Sequence, residues 1–397
     1  MKTISRTQVG SNPGRSRLHN KQLVLQCVRE LERAGRAQIA RTTKLSTQAV
    51  SNIIGELQAE GLLSDVGRQS SGRGLPAIQY SICTSAAYAL GIEIRSDAVI
   101  AAVVDLGGVT IVSDRISLSD SRPAEVAAVV RRMRRTILKK AGVSAKALLG
   151  VGIVMPGPFG RVGLCDAGQS TFAGWEDTDA HSLFSDALKV PVVVEHDTIA
   201  AVFAEHVSGS ATQLDSFAYI YFGTGIGLGV MSNGKVLRGA FGNAGELGHM
   251  VVERGGNRCA CGNEGCLETY VSRFSLSEYL AKHNIKASYG EQLNLLYKDQ
   301  NKHVLNWLND ACEPLAQTIG IIENLFDPQC IILGGAMPDV LIDHMIEHVE
   351  LPTGSIANRT DRTIPRLLRG SSGRMSATLG GAAIIINDFF VPRIEAA

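Results

Sequence analysis

Residues 245–268 read Gly245-Glu-Leu-Gly-His-Met-Val-Val-Glu-Arg-Gly-Gly-Asn-Arg-Cys-Ala-Cys-Gly-Asn-Glu-Gly-Cys-Leu-Glu268. Three of the chain's eight cysteines, Cys259, Cys261 and Cys266, fall within eight positions of this stretch, and His249 stands ten residues before the first thiol. Three thiolates and one imidazole complete a tetrahedral shell around a d¹⁰ ion, and Gly262 and Gly265 let so short a loop fold its sulfurs inward. A closed shell of four ligands leaves no position for a substrate or an activated water, so the expected cofactor is one structural zinc per chain. The competing reading is three buried or redox-active thiols.

The remaining cysteines, Cys27, Cys83, Cys165, Cys312 and Cys330, are scattered among apolar neighbours. In a reducing compartment they read as free thiols rather than a disulfide framework. No run of eighteen apolar residues occurs, and the first residues are polar and basic, so neither export nor membrane insertion is expected and the location should be cytoplasmic. At 397 residues the chain is long enough for two or three domains.

The net charge of +1 hides an asymmetry. Residues 1–80 carry twelve Lys or Arg against five acids, a balance of +7, which leaves −6 for the remainder. A small basic module on a large acidic body suggests nucleic-acid binding by the former, because neutralising phosphates releases counterions.

The periodicity of that module supports the suggestion. Residues 1–18 are polar and basic and read as a flexible arm. Asn20 can cap a helix with apolar positions Leu23, Val24, Cys27, Val28 and Leu31. A second helix is expected over Arg36 to Thr42, and after the turn Thr43-Lys44-Leu45 a third, capped by Ser46, through Ala59. This is helix-turn-helix spacing, and the third helix presents Thr47, Gln48, Ser51 and Asn52 near its start, where base edges are read in the major groove. Two strands follow, from Gly61 and over Ala77 to Ile82, joined by a loop with Arg68 and Arg73. That hairpin reads as a wing, with Arg73 between two glycines suited to a narrow minor groove.

Beyond it, Ala87 to Ile94, Ala98 to Asp105 and Val109 to Leu118 alternate as three antiparallel strands. A helix over Ala124 to Lys140 and a strand over Leu149 to Met155 come next. The helix carries Arg131, Arg132, Arg134, Arg135, Lys139 and Lys140, a cluster that reads as a solvated face rather than a second nucleic-acid surface. Pro191 to Glu195 forms a strand that delivers His196 and Asp197 to its carboxyl edge, where α/β folds place ligands. After Phe217 to Phe222 the glycines at 223, 225, 227 and 229 serve either a phosphate loop or the turn of a hairpin.

Gly-Glu-Leu-Gly-His followed by Cys-x-Cys-Gly-x-x-Gly-Cys-Leu-Glu resembles the signature of the ROK family, which joins sugar-responsive transcriptional repressors with sugar kinases. The likeness extends over nearly all of residues 84–390. It implies a winged helix-turn-helix followed by a two-lobed, actin-like (ribonuclease-H-like) α/β domain with a structural zinc loop. The expected division is an arm at 1–18, the DNA-binding domain at 19–83 and the sugar-sensing domain at 84–397. Within the last, 84–200 would form the first lobe, 201–377 the second with the zinc loop, and 378–397 a helix returning to the first.

The resemblance further implies that Asp197, Glu246, His249 and Glu268 bind a sugar, with carboxylates accepting hydrogen bonds from vicinal hydroxyls. His249 would share its two nitrogens between zinc and sugar. Two positions depart from the family's kinases. His196 stands where they carry an asparagine, so an imidazole replaces that amide beside the sugar. Where they carry Asp-x-Gly-Gly-Thr to cradle phosphate, this chain reads Glu93-Ile94-Arg95-Ser96-Asp97. Losing both glycines removes the close backbone approach, and Asp97 adds negative charge, so phosphoryl transfer is not expected although Asp197, the kinase-base position, persists.

The expected function is therefore a sugar-responsive DNA-binding repressor of carbohydrate uptake or catabolism genes, not an enzyme. Its partners would be operator duplex, a sugar or sugar-phosphate effector and a second copy of itself, since a palindrome needs two heads. Family relatives respond to glucose, xylose, N-acetylglucosamine or its phosphate. The alternatives are an active sugar kinase with an appended DNA-binding domain and a zinc-stabilised adaptor, since some repressors of the family respond to a transport protein.

Overall fold

The computed structural model describes residues 13–69, 77–95, 97–156, 174–175, 177–287, 290–354, 356 and 358–391. The chain begins with α1 (Pro13–Glu30), β1 (Ala34–Gly35), α2 (Arg36–Thr43), α3 (Thr47–Ala59), β2 (Leu63–Gln69) and β3 (Ala77–Ile82), the three strands pairing in the order β1-β3-β2. Ser46 caps α3 as expected, its hydroxyl accepting from the Ala49 amide at 3.2 Å. Val24, Val28, Ile39, Val50, Ile54 and Leu57 close a core between the helices. The first helix starts about two turns before Asn20, at Pro13, in the segment expected as a flexible arm. Ion pairs from α1 to α3 account for the extension: Arg17 reaches Glu56, and Lys21 reaches Glu56 at 2.9 Å and Glu60 at 2.6 Å.

The next unit holds β4 (Tyr88–Ile94), β5 (Ala98–Asp105), β6 (Thr110–Ser117), α4 (Pro123–Ala141), β7 (Leu148–Val154), α5 (Ala180–Leu188), β8 (Val192–Glu195) and α6 (Asp197–Ser208). It is followed by β9 (Phe217–Phe222), β10 (Ile226–Ser232), β11 (Lys235–Val236), α7 (Arg273–Lys282), α8 (Gly290–Lys298), α9 (Lys302–Phe326), β12 (Ile331–Gly335), α10 (Asp339–His348), β13 (Leu367–Arg369) and α11 (Ser376–Phe390). The two sheets run β6-β5-β4-β7-β8 and β11-β10-β9-β12-β13. In each, three strands pair antiparallel and the last two join in parallel, so one topology occurs twice.

Period-two alternation sorts the two faces of the first sheet. Leu90, Ile92, Val99, Ala101 and Val103 pack with α4 and α5, whereas Ala89, Ala102 and Val104 join the core that contains α1 and the end of α11. The small N-terminal unit therefore sits on the face opposite α4. Helix α6 packs on β9 and β10 of the second sheet, α11 packs on β4 and β7 of the first, and the two helices pack on each other. Glycines permit the closeness. A β-carbon at Gly91 would overlap the Thr378 carbonyl, and one at Gly380 the Ala200 carbonyl. No described helix is long and apolar enough to cross a membrane.

Candidate metal centre and ligand cleft

His249, Cys259, Cys261 and Cys266 come together, with their ligand atoms all within 4.8 Å of one another. Cys261 Sγ lies 3.6 Å from Cys266 Sγ, and Cys259 Sγ lies 3.5 Å from His249 Nδ1. Bonds of about 2.3 Å in a tetrahedron place sulfurs about 3.8 Å apart, so the spacing suits zinc, and no disulfide consumes these thiols. The local fold explains the gathering. The Cys259 amide donates to the Asn263 carbonyl at 2.9 Å, and Gly262 (φ 89°) and Gly265 (φ 80°) occupy the left-handed region. A β-carbon at Gly265 would collide with the Glu253 carbonyl. Burial and the neighbouring thiols push Cys266 up, whereas hydrogen bonds from Asn263 and the other two thiols lower Cys261, and a bound dication would hold all three as thiolates.

The imidazole of His249 turns Nδ1 toward Cys259 and Nε2 toward Glu246, whose Oε2 is 4.0 Å away. Both residues flank a short 3₁₀ turn, Leu247–His249, and a second such turn, Leu267–Thr269, carries Glu268. The Glu268 carboxylate rests against Gly225, where a β-carbon would collide with it. Gly227 and Gly229 are needed for a different approach: β-carbons there would run into Thr198 and Val202 of α6. With Phe222 opposite Ile226, residues 223–225 make the turn of a β-hairpin, Gly227 and Gly229 lie on its second strand, and packing requires glycine at 225, 227 and 229.

Asp197 opens α6 at the carboxyl edge of β8, as the sequence placed it, and its Oδ1 accepts from the Thr198 amide at 2.8 Å. Burial first, then the charges of Glu93 and Glu246, push this carboxyl up to about 7. His196 is held below the ordinary histidine range, chiefly by burial, and so presents a neutral imidazole near neutral pH. Glu195 receives Arg238 from the second lobe, with NH2 to Oε2 at 2.7 Å, tying the two sheets at the rim of the cleft.

Between the lobes lies a cleft of about 70 Å³ lined by Glu93, Arg95, Asp97, Asp197, Thr224 and Arg273 among others. It is far below the ~300–1,000 Å³ of small-molecule sites. Glu93 and Arg95 form part of its wall and clasp each other. Arg95 donates from Nε at 2.5 Å and from NH2 at 3.0 Å to the two Glu93 oxygens, and from NH2 to the Arg374 carbonyl at 3.2 Å. The Thr378 hydroxyl donates to Glu93 at 2.7 Å. Burial alone would lower the Arg95 pKa, but the Glu93 charge and hydrogen bonds more than offset it and hold the guanidinium charged. Asp97 plays a smaller part than its sequence position suggests: its carboxylate is held by Arg115 at 2.7 Å. A larger concavity, about 560 Å³, lies along α4 between Arg131, Arg132, Arg134, Arg135 and Lys139; Arg131, Arg132, Arg135 and Lys139 are exposed, and Arg134 is half-buried and donates to the Leu188 carbonyl at 3.2 Å.

On α3, Thr47, Gln48 and Asn52 are exposed and Ser51 is half-buried, with Gln48 Nε2 donating to Asn52 Oδ1 at 3.0 Å. Arg68 is exposed on β2, and Arg73 lies outside the described residues. Sequence reasoning did not find Arg95, Arg273, Arg238 or Thr378. The lone arginine after β4 was the available signal, in the place of a small residue.

A sheet topology used twice, with a cleft between the two lobes, defines the class of two-lobed actin-like α/β proteins. The ROK family model matches residues 89–388, and the chain belongs to that family. It is 29% identical over 381 residues to the xylose repressor of Bacillus spizizenii, covering 93% of this chain and 95% of that one. A crystal structure described as a ROK family transcriptional regulator, homolog of E. coli MLC protein, superposes with a TM-score of 0.74 at 21% identity and covers 95% of this chain and 97% of that one. A ROK family glucokinase from Streptomyces griseus, solved with glucose and AMPPNP, gives 0.62 at 21% identity and covers 98% of that chain but 75% of this one.

Proposed function

We propose that this protein is a sugar-responsive DNA-binding transcriptional repressor whose kinase-like body is a sensor. One observation carries the reading: a three-helix module with a β-hairpin precedes a sugar-kinase-like body whose narrow cleft is lined by the Glu93–Arg95 pair. In this reading the N-terminal module through residue 83 binds operator through Thr47, Gln48, Ser51, Asn52, Arg68 and Arg73, and 84–397 sense the effector. Asp197, Glu246, His249 and Glu268 hold sugar hydroxyls beside His196. Zinc on His249, Cys259, Cys261 and Cys266 is structural, and a homodimer places two heads on a palindrome in the cytoplasm. D-xylose is the first effector to try, given the name of the 29% identical relative.

The test selects duplexes from genomic DNA with the whole protein, then titrates them with D-xylose, D-glucose and N-acetyl-D-glucosamine. Saturable specific binding altered by one sugar supports the reading, and binding indifferent to sequence refutes it. Thermal shift with dialysed protein separates a sugar sensor from an adaptor that answers to a transport protein. An active kinase remains the second reading because Asp197, at about 7, is suited to accept a proton near neutral pH. Incubation with ATP, magnesium and these sugars should yield no phosphorylated product. Turnover abolished by Asp197→Asn would establish the kinase instead.

A further inference from the structure

Helices α6 and α11 occupy equivalent places after the fifth strand of each sheet, and each packs on the sheet of the other lobe. Their mutual contact is thus the seam between lobes. Both begin at the cleft: Asp197 is the first residue of α6, and Thr378, near the start of α11, donates to Glu93. Both end at α1. Arg29 of α1 donates from NH2 to the Val207 carbonyl in the last turn of α6 at 3.4 Å, and its guanidinium lies 4.7 Å from the ring centroid of Phe390, the last residue of α11. Gln22 of α1 donates to the Asp388 and Phe389 carbonyls of α11 at 3.3 and 3.2 Å.

We propose that Arg29 is the positioning residue that conveys the state of the cleft to the DNA-binding head, by gripping α6 of one lobe and α11 of the other at once. The backbone approach of Gly380 to Ala200 leaves no compressible side chain between the helices near the cleft, so it acts as a pivot. From Ala200 to Val207 the helix runs about 10 Å, so a rotation of a few degrees shifts the Val207 carbonyl by the better part of an ångström. A hydrogen bond already at 3.4 Å does not survive that, whereas the Phe390 contact belongs to the other lobe and stays. The guanidinium suits the post: it meets the negative end of the α6 dipole and an aromatic face. Burial lowers its pKa, and a guanidinium stays charged in proteins. This inference rests on the repressor reading for its effector arm and is independent of it in its second arm.

The experiment uses the whole protein, its genomically selected duplex, and D-xylose, D-glucose and N-acetyl-D-glucosamine in excess. Arg29→Met keeps an apolar stem against Phe390 and removes the donor. Without sugar it should bind the duplex within about threefold of the parent, while the sugar-induced change in affinity, about 5–150-fold for a typical coupling, falls below about twofold. Sugar affinity should not move, and Arg29→Lys should restore part of the response. A full response in Arg29→Met overturns the proposal. If no sugar moves the parent, the effector reading has failed, and the coupling is decided without ligand. Glu93→Gln should then alter amide hydrogen exchange over residues 22–30 in the parent and not in Arg29→Met. Equal changes in both backgrounds, or none in either, overturn it.

Discussion

Glu93 and Arg95, two positions apart and so on one face at the end of β4, clasp each other through both carboxylate oxygens, at 2.5 and 3.0 Å. Thr378 closes the group from 285 residues away. The Glu93 and Arg95 side chains line the cleft between the lobes. Asp197 stands beside this pair, and burial first, then the charges of Glu93 and Glu246, hold its proton.

That proton has a measurable signature. The folded value of about 7 lies above the ~3.9 of an unfolded aspartate, so between these limits the folded chain binds the proton more tightly. The contribution of Asp197 to stability is therefore greatest below about pH 4, falls as the pH rises to about 7 and is flat beyond. Asp197→Asn removes this slope, and its melting temperature relative to the parent should be higher at about pH 8 than at about pH 5. A difference that is constant over that range would rule out the raised value.

Purified protein should contain about one zinc per chain, and Cys261→Ser should lose both metal and thermal stability, because the free energy of binding is then part of the free energy of folding. Cys312→Ser, at a buried cysteine far along the chain on α9, should keep the metal. Metal analysis and melting curves of the two variants check this, and a stable, metal-free parent would contradict it.

Gln48→Ala and Asn52→Ala should each weaken binding to selected duplexes by about 1–3 kcal/mol, the worth of a well-formed hydrogen-bond pair to a base edge, while leaving random duplexes nearly unchanged. Because Gln48 donates to Asn52 at 3.0 Å, the two effects should not be additive. Anisotropy titrations of the double variant would show this directly.

Glu246 is exposed at the rim, 4.0 Å from His249 Nε2, and little in the fold depends on it. Glu246→Ala should bind duplex without sugar as the parent does and lose the sugar response. A variant that responds normally would remove this carboxylate from the sensor.

The metal loop was legible because its ligands lie close in sequence and few other arrangements satisfy three thiols and a histidine. The helices of the N-terminal module were legible to within a residue or two, since Ser46 and the apolar periodicity mark α3 locally. The start of α1 was not, because Arg17 and Lys21 find Glu56 and Glu60 thirty-five or more positions away. The cleft shows the same limit. Arg95 and Ser96, where the family's kinases carry glycines, were legible as a departure, but the Thr378, Arg374 and Arg238 contacts are made by the fold. Asp97 drew attention on the strength of its charge alone, and Arg115, from the neighbouring strand, neutralises it.

The glycine turn at 223–229 carries a lesson for reading genomes. Gly225 yields room to Glu268, and Gly227 and Gly229 to Thr198 and Val202, whether or not a nucleotide is ever present. A descendant that abandons phosphoryl transfer is under the same steric constraint as its catalytic cousins and will go on displaying the motif. Similarity over this segment therefore reports how the hairpin packs on α6 and Glu268, and by itself says nothing about catalysis.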